Sequence, residues 1–387
     1  MSRHQSHQLT AAQIIQTAKK GEPLAFHLKK TFAANKKFGS KDRKTIATLC
    51  YQYYRIGYAL PNVTVHHKIL AAYFLCNHTP SDFLENLAPQ LNTKIHLPLS
   101  EKCNELKINI NQIFILQQEL GSGVDAHAFN LSMLTQPKFF VRVRPNVWSY
   151  FISNLEKANI DYQNITDTCI ALPQSTALEK YAVVNKDVVV QDYNSQQVFN
   201  YVKENVQLIP TTALVWDCCA ASGGKSILLY DILKGQIHLS VSDVRASMLN
   251  NLRTRFKEAG INNYQAFVAD LSKPMLTPPK IKFDFIICDV PCSGSGTWGR
   301  TPEQLVFFEK PEIKNYHALQ KKISSSAITF LKKGGLFFYI TCSVFEQENE
   351  EVVKHLATQF NLKILQMQYL KGYQMQADTM FVAVLTF

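Results

Sequence analysis

Cys-x-x-Cys spacing is missing from the sequence, although nine cysteines occur in its 387 residues. Structural zinc sites use closely spaced ligands, so no metal is expected. The thiols are scattered, and several lie inside apolar, β-prone runs. That distribution fits reduced cysteines in the cytoplasm better than a disulfide framework. Long hydrophobic stretches are missing too: none approaches the roughly 20 residues that cross a bilayer. The opening Met1-Ser2-Arg3-His4-Gln5-Ser6-His7 has no apolar core of the kind a secretion signal carries. No membrane partner is therefore expected. Internal repeats and low-complexity tracts are also absent. What remains is a globular composition, 46% hydrophobic and 18% charged, long enough for two or three domains of about 100–200 residues each.

Acidic residues are scarce at one end. Residues 1–60 hold eleven Lys or Arg (Arg3, Lys19, Lys20, Lys29, Lys30, Lys36, Lys37, Lys41, Arg43, Lys44 and Arg55) against Glu22 and Asp42, a local excess of nine within a formal net charge of +11. A concentrated cationic surface is the footprint of a polyanion, here read as nucleic acid; the bland alternative is a solvated helical face. Residues 8 to about 125 read as helical. Ser40 can cap a helix whose apolar positions Ile46, Leu49, Cys50, Tyr53 and Gly57 recur at three- and four-residue steps, with Lys41, Lys44 and Arg55 away from that stripe. An earlier helix carries Leu24, Leu28 and Phe32 on one face and ends near Lys36 and Lys37, where lysine also suits the helix dipole. Pro61, Pro80, Pro89 and Pro98 break the later apolar segments into short pieces.

Gly121-Ser122-Gly123 marks a flexible point, and a second unit runs over residues 126–200. Residues 138–145 alternate as a strand that puts Lys138, Arg142 and Arg144 on the face opposite Val141 and Val143. A cationic strand face suits RNA backbone contact, and an ordinary solvated face is the rival reading. Further strands are expected at 181–184 and 188–192, and a helix at 149–158. From residue 201 to 387 strands and helices alternate. Strands are expected at 214–217, 237–243, 264–269, 283–289 and 336–342, with a last hairpin at 364–369 and 380–387. This pattern is that of a doubly wound α/β domain.

Two features of that last unit point to chemistry. Asp289-Val290-Pro291-Cys292-Ser293-Gly294 and Thr341-Cys342-Ser343 each follow an apolar run that reads as a strand buried on both faces. Ligands in such sheets lie beyond the carboxyl ends of the strands, so both thiols fall where a reaction is expected. Upstream, residues 214–217 followed by Cys219-Ala220-Ala221-Ser222-Gly223-Gly224-Lys225-Ser226 read as strand, small-residue turn and helix. A phosphate loop would need Gly where Cys219 stands, and Ala220, Ala221, Gly223 and Gly224 do not supply a Gly-x-Gly-x-x-Gly fingerprint. Asp243 and Asp270 end the next two strands, placed for ribose hydroxyls and an adenine amino group. A nucleoside cofactor without phosphates fits, of which S-adenosylmethionine is the common one.

The three segments Asp217-x-Cys219-Ala-Ala-x-Gly-Gly-Lys225, Asp289-x-Pro291-Cys292-Ser293-Gly294-x-Gly296 and Thr341-Cys342-Ser343 resemble the signature motifs of RNA cytosine-C5 methyltransferases. The start, with Gly39-Ser40-Lys41-Asp42-Arg43 before a Tyr-rich helix, resembles the NusB-like domain of the RsmB/Fmu branch, which methylates 16S ribosomal RNA. The middle unit resembles that branch's RRM-like insert. The resemblance implies a NusB-like helical domain over 1–125, an RRM-like module over 126–200 and a Rossmann-like methyltransferase domain over 201–387.

It also implies roles. Cys342 would be the nucleophile that adds to cytosine C6. Cys292 would assist product release, and Asp289 would handle the proton near N3. Cys219 to Lys225, with Asp243, Asp270 and Asp289, would hold the cofactor. Arg300 would contact substrate phosphate, and Lys41, Arg43, Arg142 and Arg144 are further candidate RNA contacts. Two departures stand out: Ser222 replaces a usual proline, and Gly299-Arg300 replaces paired arginines. A monomer is assumed, and the N-terminal resemblance makes ribosomal RNA the expected substrate. Transfer RNA as substrate, a non-catalytic RNA-binding assembly factor and an amino-group methyltransferase are the rivals.

Overall fold

The computed structural model describes residues 2–274 and 278–387. They form two compact units. The first comprises the chain up to Leu120 together with Asp125–Gln136 and Thr297–Lys310. It is built from helices, including Arg3–Thr17, Leu24–Ala34, Ser40–Arg55 and Val65–Cys76. Ser2 and Gln5 close a capping box on the first of these. Its buried face, Ala11, Ala12, Ile14 and Ile15, meets Ile46, Leu49 and Cys50 of the third. Gly39 rather than Ser40 occupies the N-cap, because Asp42 Oδ2 accepts from Gly39 N at 3.2 Å. Arg55 does not lie on the solvated face: it is 4% exposed and donates to Met133 O and Thr135 O. The helical period places it at the end of the stripe, and two carbonyls give the guanidinium a buried seat.

Thr297–Lys310 belongs to this unit although it follows the Pro-Cys motif in sequence. Trp298 packs against Phe114 and Phe308, Phe307 against Tyr54, and Glu303 Oε1 accepts from Leu24 N at 3.0 Å.

The second unit contains two sheets. The smaller has strand order β2-β3-β1-β4, with β1 Phe139–Val143, β2 Gln163–Asn164, β3 Cys169–Leu172 and β4 Val188–Val190, all antiparallel. No strand forms at 181–184. A 3-10 turn at Leu178–Lys180 leads into a single bridge between Val184 and Val188. Asn185 at φ 66° reverses the chain there, and Asp187 Oδ2 ties back the Val183 amide.

The larger sheet runs β10-β11-β9-β8-β5-β6-β7. Its strands are β5 Ala213–Asp217, β6 Ile237–Asp243, β7 Tyr264–Val268, β8 Phe283–Asp289, β9 Leu331–Thr341, β10 Lys363–Leu370 and β11 Met380–Thr386. β5 to β9 pair in parallel, and β11 joins β9 antiparallel. Alternate residues of the central strands feed two cores. Val215, Val241, Ile287 and Phe338 face helices Gly224–Ile232 and Ala246–Glu258. Trp216, Ile286, Cys288 and Tyr339 face helices Pro311–Ile328 and Glu350–Phe360. Burial on both faces explains why these strands read as continuous apolar runs. The architecture is Rossmann-like, and the chain order puts the ends of β5, β8 and β9 side by side.

Candidate active site

β5 ends at Asp217, and the chain turns sharply before the Gly224 helix. Gly223 sits at φ 81°, and a Cβ there would stand 2.5 Å from Phe256 Cε1. Only glycine meets both demands. Ser226 Oγ, one turn into the helix, donates to Asp217 Oδ2 at 2.6 Å. Asp217 is 1% exposed, and its Oδ1 has no hydrogen-bond partner among the described residues. Burial pushes this acid up to about 7. Ser222 is held by Arg255, whose Nη1 donates to Ser222 O at 3.1 Å and to Ser222 Oγ at 2.7 Å.

Asp243 ends β6 and closes over the same turn. Its Oδ2 accepts from Ala221 N at 3.0 Å and its Oδ1 from Arg245 N at 2.9 Å. Asp270 follows β7 and accepts from Ser272 N and Oγ, with Lys273 3.0 Å away. The Ser272 hydroxyl, followed by Lys273, holds its carboxyl below the ordinary value. Asp289 ends β8, and its Oδ2 lies 2.5 Å from Lys225 Nζ. Burial alone would lower the Lys225 ammonium, but Asp289 outweighs it and holds the lysine above its usual value. The turn and the helix it opens are therefore tied to the ends of β5, β6 and β8 through Asp217, Asp243 and Asp289.

The two motif cysteines meet. Cys292 Sγ and Cys342 Sγ are 3.3 Å apart, each half-buried, on the loops after the neighbouring strands β8 and β9. The loops are stitched together. Gly296 N donates to Cys342 O at 2.8 Å, and Val344 N to Ser295 Oγ at 2.9 Å. A side chain at 296 would collide with Thr379 O, so the close crossing demands glycine. The hydrogen bond to Cys342, with burial added, pushes the Cys292 thiol well up. Cys218 and Cys288 are buried fillers in the sheet core.

A group that the sequence reading missed lies beneath both loops. Glu348, fully buried, accepts hydrogen bonds from Ser293, Gln320 and Ser343. The only sequence signal for it was an acid shortly after Thr-Cys-Ser, which reads equally well as the acidic first turn of a helix.

The proposed RNA contacts fare differently. Arg142 and Arg144 are not a solvated cationic face. Both converge on Asp231 of the Gly224 helix, at 2.6 and 2.7 Å, and Arg142 is 3% exposed. Their shared parity was read correctly, but that face is covered by the neighbouring helix and its carboxylate. Lys41 and Arg43 are exposed in the first unit, Arg43 with its Nε on Phe38 O. Arg300 lies in the segment built into that unit and is half-buried. Among the described residues no cluster of His, Cys, Asp and Glu is arranged to hold a metal ion, and no helix is long and apolar enough to cross a membrane.

Residues 207–385 match the family model described as 16S rRNA methyltransferase RsmB/F. Over this span, a little under half of the chain, the sequence is similar to RNA methyltransferases of the RsmB/F kind. Ribosomal RNA small subunit methyltransferase B of Pasteurella multocida is 28% identical over 235 residues, 58% of this chain and 50% of that protein. The mouse tRNA (cytosine(72)-C(5))-methyltransferase NSUN6 is 31% identical over 150 residues, 36% of this chain and 31% of that one. The chain thus spans half or less of the length of these relatives. Among solved structures, that of PH0851 shares the fold with a TM-score of 0.71 at 17% identity, covering 100% of this chain and 99% of that one.

Proposed function

We propose that this protein transfers a methyl group from S-adenosylmethionine to C5 of a cytosine in ribosomal RNA, through a transient bond between Cys342 and C6. The observation that carries this reading is the pair of thiols 3.3 Å apart beside the Asp289–Lys225 ion pair. A buried structural core has no use for two cysteines on adjoining loops. A cytosine ring needs both a nucleophile at C6 and a group to release the product.

The site suits the cofactor. Asp217 Oδ1, at the foot of the turn, is a buried polar atom with no hydrogen-bond partner among the described residues. Residues 219–225 would hold the methionine and ribose end, Asp243 the ribose and Asp270 the adenine. Bound there, the cofactor would supply the methyl group as an electrophile. The protein's own groups do the rest. Cys342 attacks C6 and makes C5 nucleophilic. Asp289, kept close to Lys225, exchanges a proton with the base as charge builds at N3. After transfer the C5 proton leaves to solvent and the C6–S bond breaks, and Cys292, its thiol held protonated, donates to the departing Cys342 sulfur. The target base must leave its stack for a thiol to reach C6.

In the covalent test, Cys342→Ala abolishes both methyl transfer and adduct formation. Cys292→Ala accumulates a protein–RNA adduct that survives denaturing gels. Normal turnover by both variants would sink the mechanism. Transfer RNA is the second reading, favoured by the similarity to NSUN6. Bisulfite sequencing of RNA from a deletion strain separates the two, because the lost 5-methylcytosine names the substrate.

A further inference from the structure

Both thiols stand on loops, past the last pairs of the sheet ladder, so the strands alone do not fix the 3.3 Å between their sulfurs. A single carboxylate reaches both loops. Glu348 Oε2 accepts from Ser293 N at 2.8 Å and from Gln320 Nε2 at 2.9 Å. Its Oε1 accepts from Ser343 Oγ at 2.9 Å. Ser293 follows Cys292 in the chain, and Ser343 follows Cys342. One side chain therefore grips the residue after each thiol. Gln320, on the helix behind, also donates to Pro291 O at 3.0 Å, the carbonyl just before Cys292. Ser293 Oγ and Ser295 Oγ each lie 3.2 Å from Ser343 Oγ and close the ring of hydroxyls.

An ionised carboxyl only accepts. Glu348 therefore sets the direction of the network: Ser343 must donate to it, which leaves Ser343 Oγ free to receive Phe345 N at 3.1 Å. The arrangement is costly. Burial pushes the Glu348 carboxyl above its ordinary value, against the pull of its three donors. A buried acid is stable only when well supplied with hydrogen bonds, and here the donors come from the two cysteine loops and the helix behind them. A fold that needed only a plug at this point would be served by an apolar side chain at lower cost.

We propose that Glu348 is a positioning residue that clamps the Cys292 and Cys342 loops and so sets the separation of the two reacting sulfurs. Its consequence for catalysis rests on the methyl-transfer reading; its effect on the thiols does not. The test uses the full chain without RNA or cofactor. The Cys292–Cys342 pair is equilibrated with glutathione disulfide, and closure is followed by mass spectrometry of that pair. The two thiols give two electrons and two protons to the reagent, which departs as two molecules of glutathione. The equilibrium constant for closure reads how closely the loops hold the sulfurs. Glu348→Ala lowers it by roughly 100-fold, the loss expected from a displacement on the order of 1 Å. Glu348→Gln keeps the shape and one acceptor oxygen but turns an amide donor toward one loop, and lowers closure by about tenfold. In methyl-transfer assays kcat falls in the same order, while KM for RNA stays within about twofold. If Glu348→Ala does not fold, as judged by circular dichroism and melting, the isosteric Glu348→Gln alone decides. Native closure in the folded variants overturns the proposal. A native protein that fails to methylate any RNA would overturn the functional reading and leave the thiol measurement standing.

Discussion

Asp217 is an acid that the fold keeps dry. Burial, opposed by the Ser226 hydroxyl, moves its carboxyl from 3.8 to about 7. The native protein therefore keeps a proton on Asp217 at pH values where the unfolded chain has released it. Stability from this group is fully present below about pH 4 and is lost as pH rises through about 7, by on the order of 4 kcal/mol. Asp217→Asn cannot ionise and should remove that slope. Urea unfolding at pH 5 and pH 8 compares the two. If native protein and variant lose stability equally over that interval, the carboxyl is not held protonated. At this scale the two thiols that meet were legible, because each sits in a short motif at a strand end. Glu348 was not, because its partners are contributed by loops 55 and 5 residues away, and no local pattern announces such a meeting.

The elements were read with similar unevenness. β5, β6, β8 and β9 emerge from apolar runs because both faces of the sheet are covered. The expected strand at 181–184 failed because its valine pair lies against a turn at Asn185 rather than a partner strand. The turn after β5 shows how an element can replace a missing device. Ser222 stands where the family resemblance leads one to expect proline, and the structure ties it to Arg255 of the following helix pair through both its carbonyl and its hydroxyl. Arg255 also donates from Nε to Asn185 Oδ1 at 3.0 Å. Arg255→Ala should therefore weaken S-adenosylmethionine binding by about tenfold, the worth of a charge-assisted hydrogen bond or two. Adding Ser222→Pro should recover most of it, since the ring stiffens the turn directly. Isothermal titration of the three proteins measures this. A double variant no better than Arg255→Ala would show that the arginine acts elsewhere.

For the molecule as a whole, charge is spent in two ways. Near the start it is left exposed on lysines such as Lys29, Lys30, Lys36 and Lys37. Within the second unit it is buried, where Asp231 faces both Arg142 and Arg144 and joins the small sheet to the large one. Period-two reading gave the shared face of the arginines but not the helix that covers it, since that helix is some 90 residues away. Asp231→Ala leaves two guanidinium groups facing each other with no counter-charge. Removing one partner of a buried ion pair costs about 3–5 kcal/mol, so the urea midpoint should fall sharply. A variant as stable as the native chain would mean that the pair contributes only alignment.

The placement of residues 297–310 has a practical side. Trp298 packs on Phe114, Phe307 packs on Tyr54 and Leu305 is buried in the same helical unit, yet all three come from the stretch just after a motif thiol. Cutting the chain at residue 201, as its alternating pattern invites, would liberate a fragment with a tryptophan, a leucine and a phenylalanine stripped of their companions. Such a fragment should be sticky rather than well behaved.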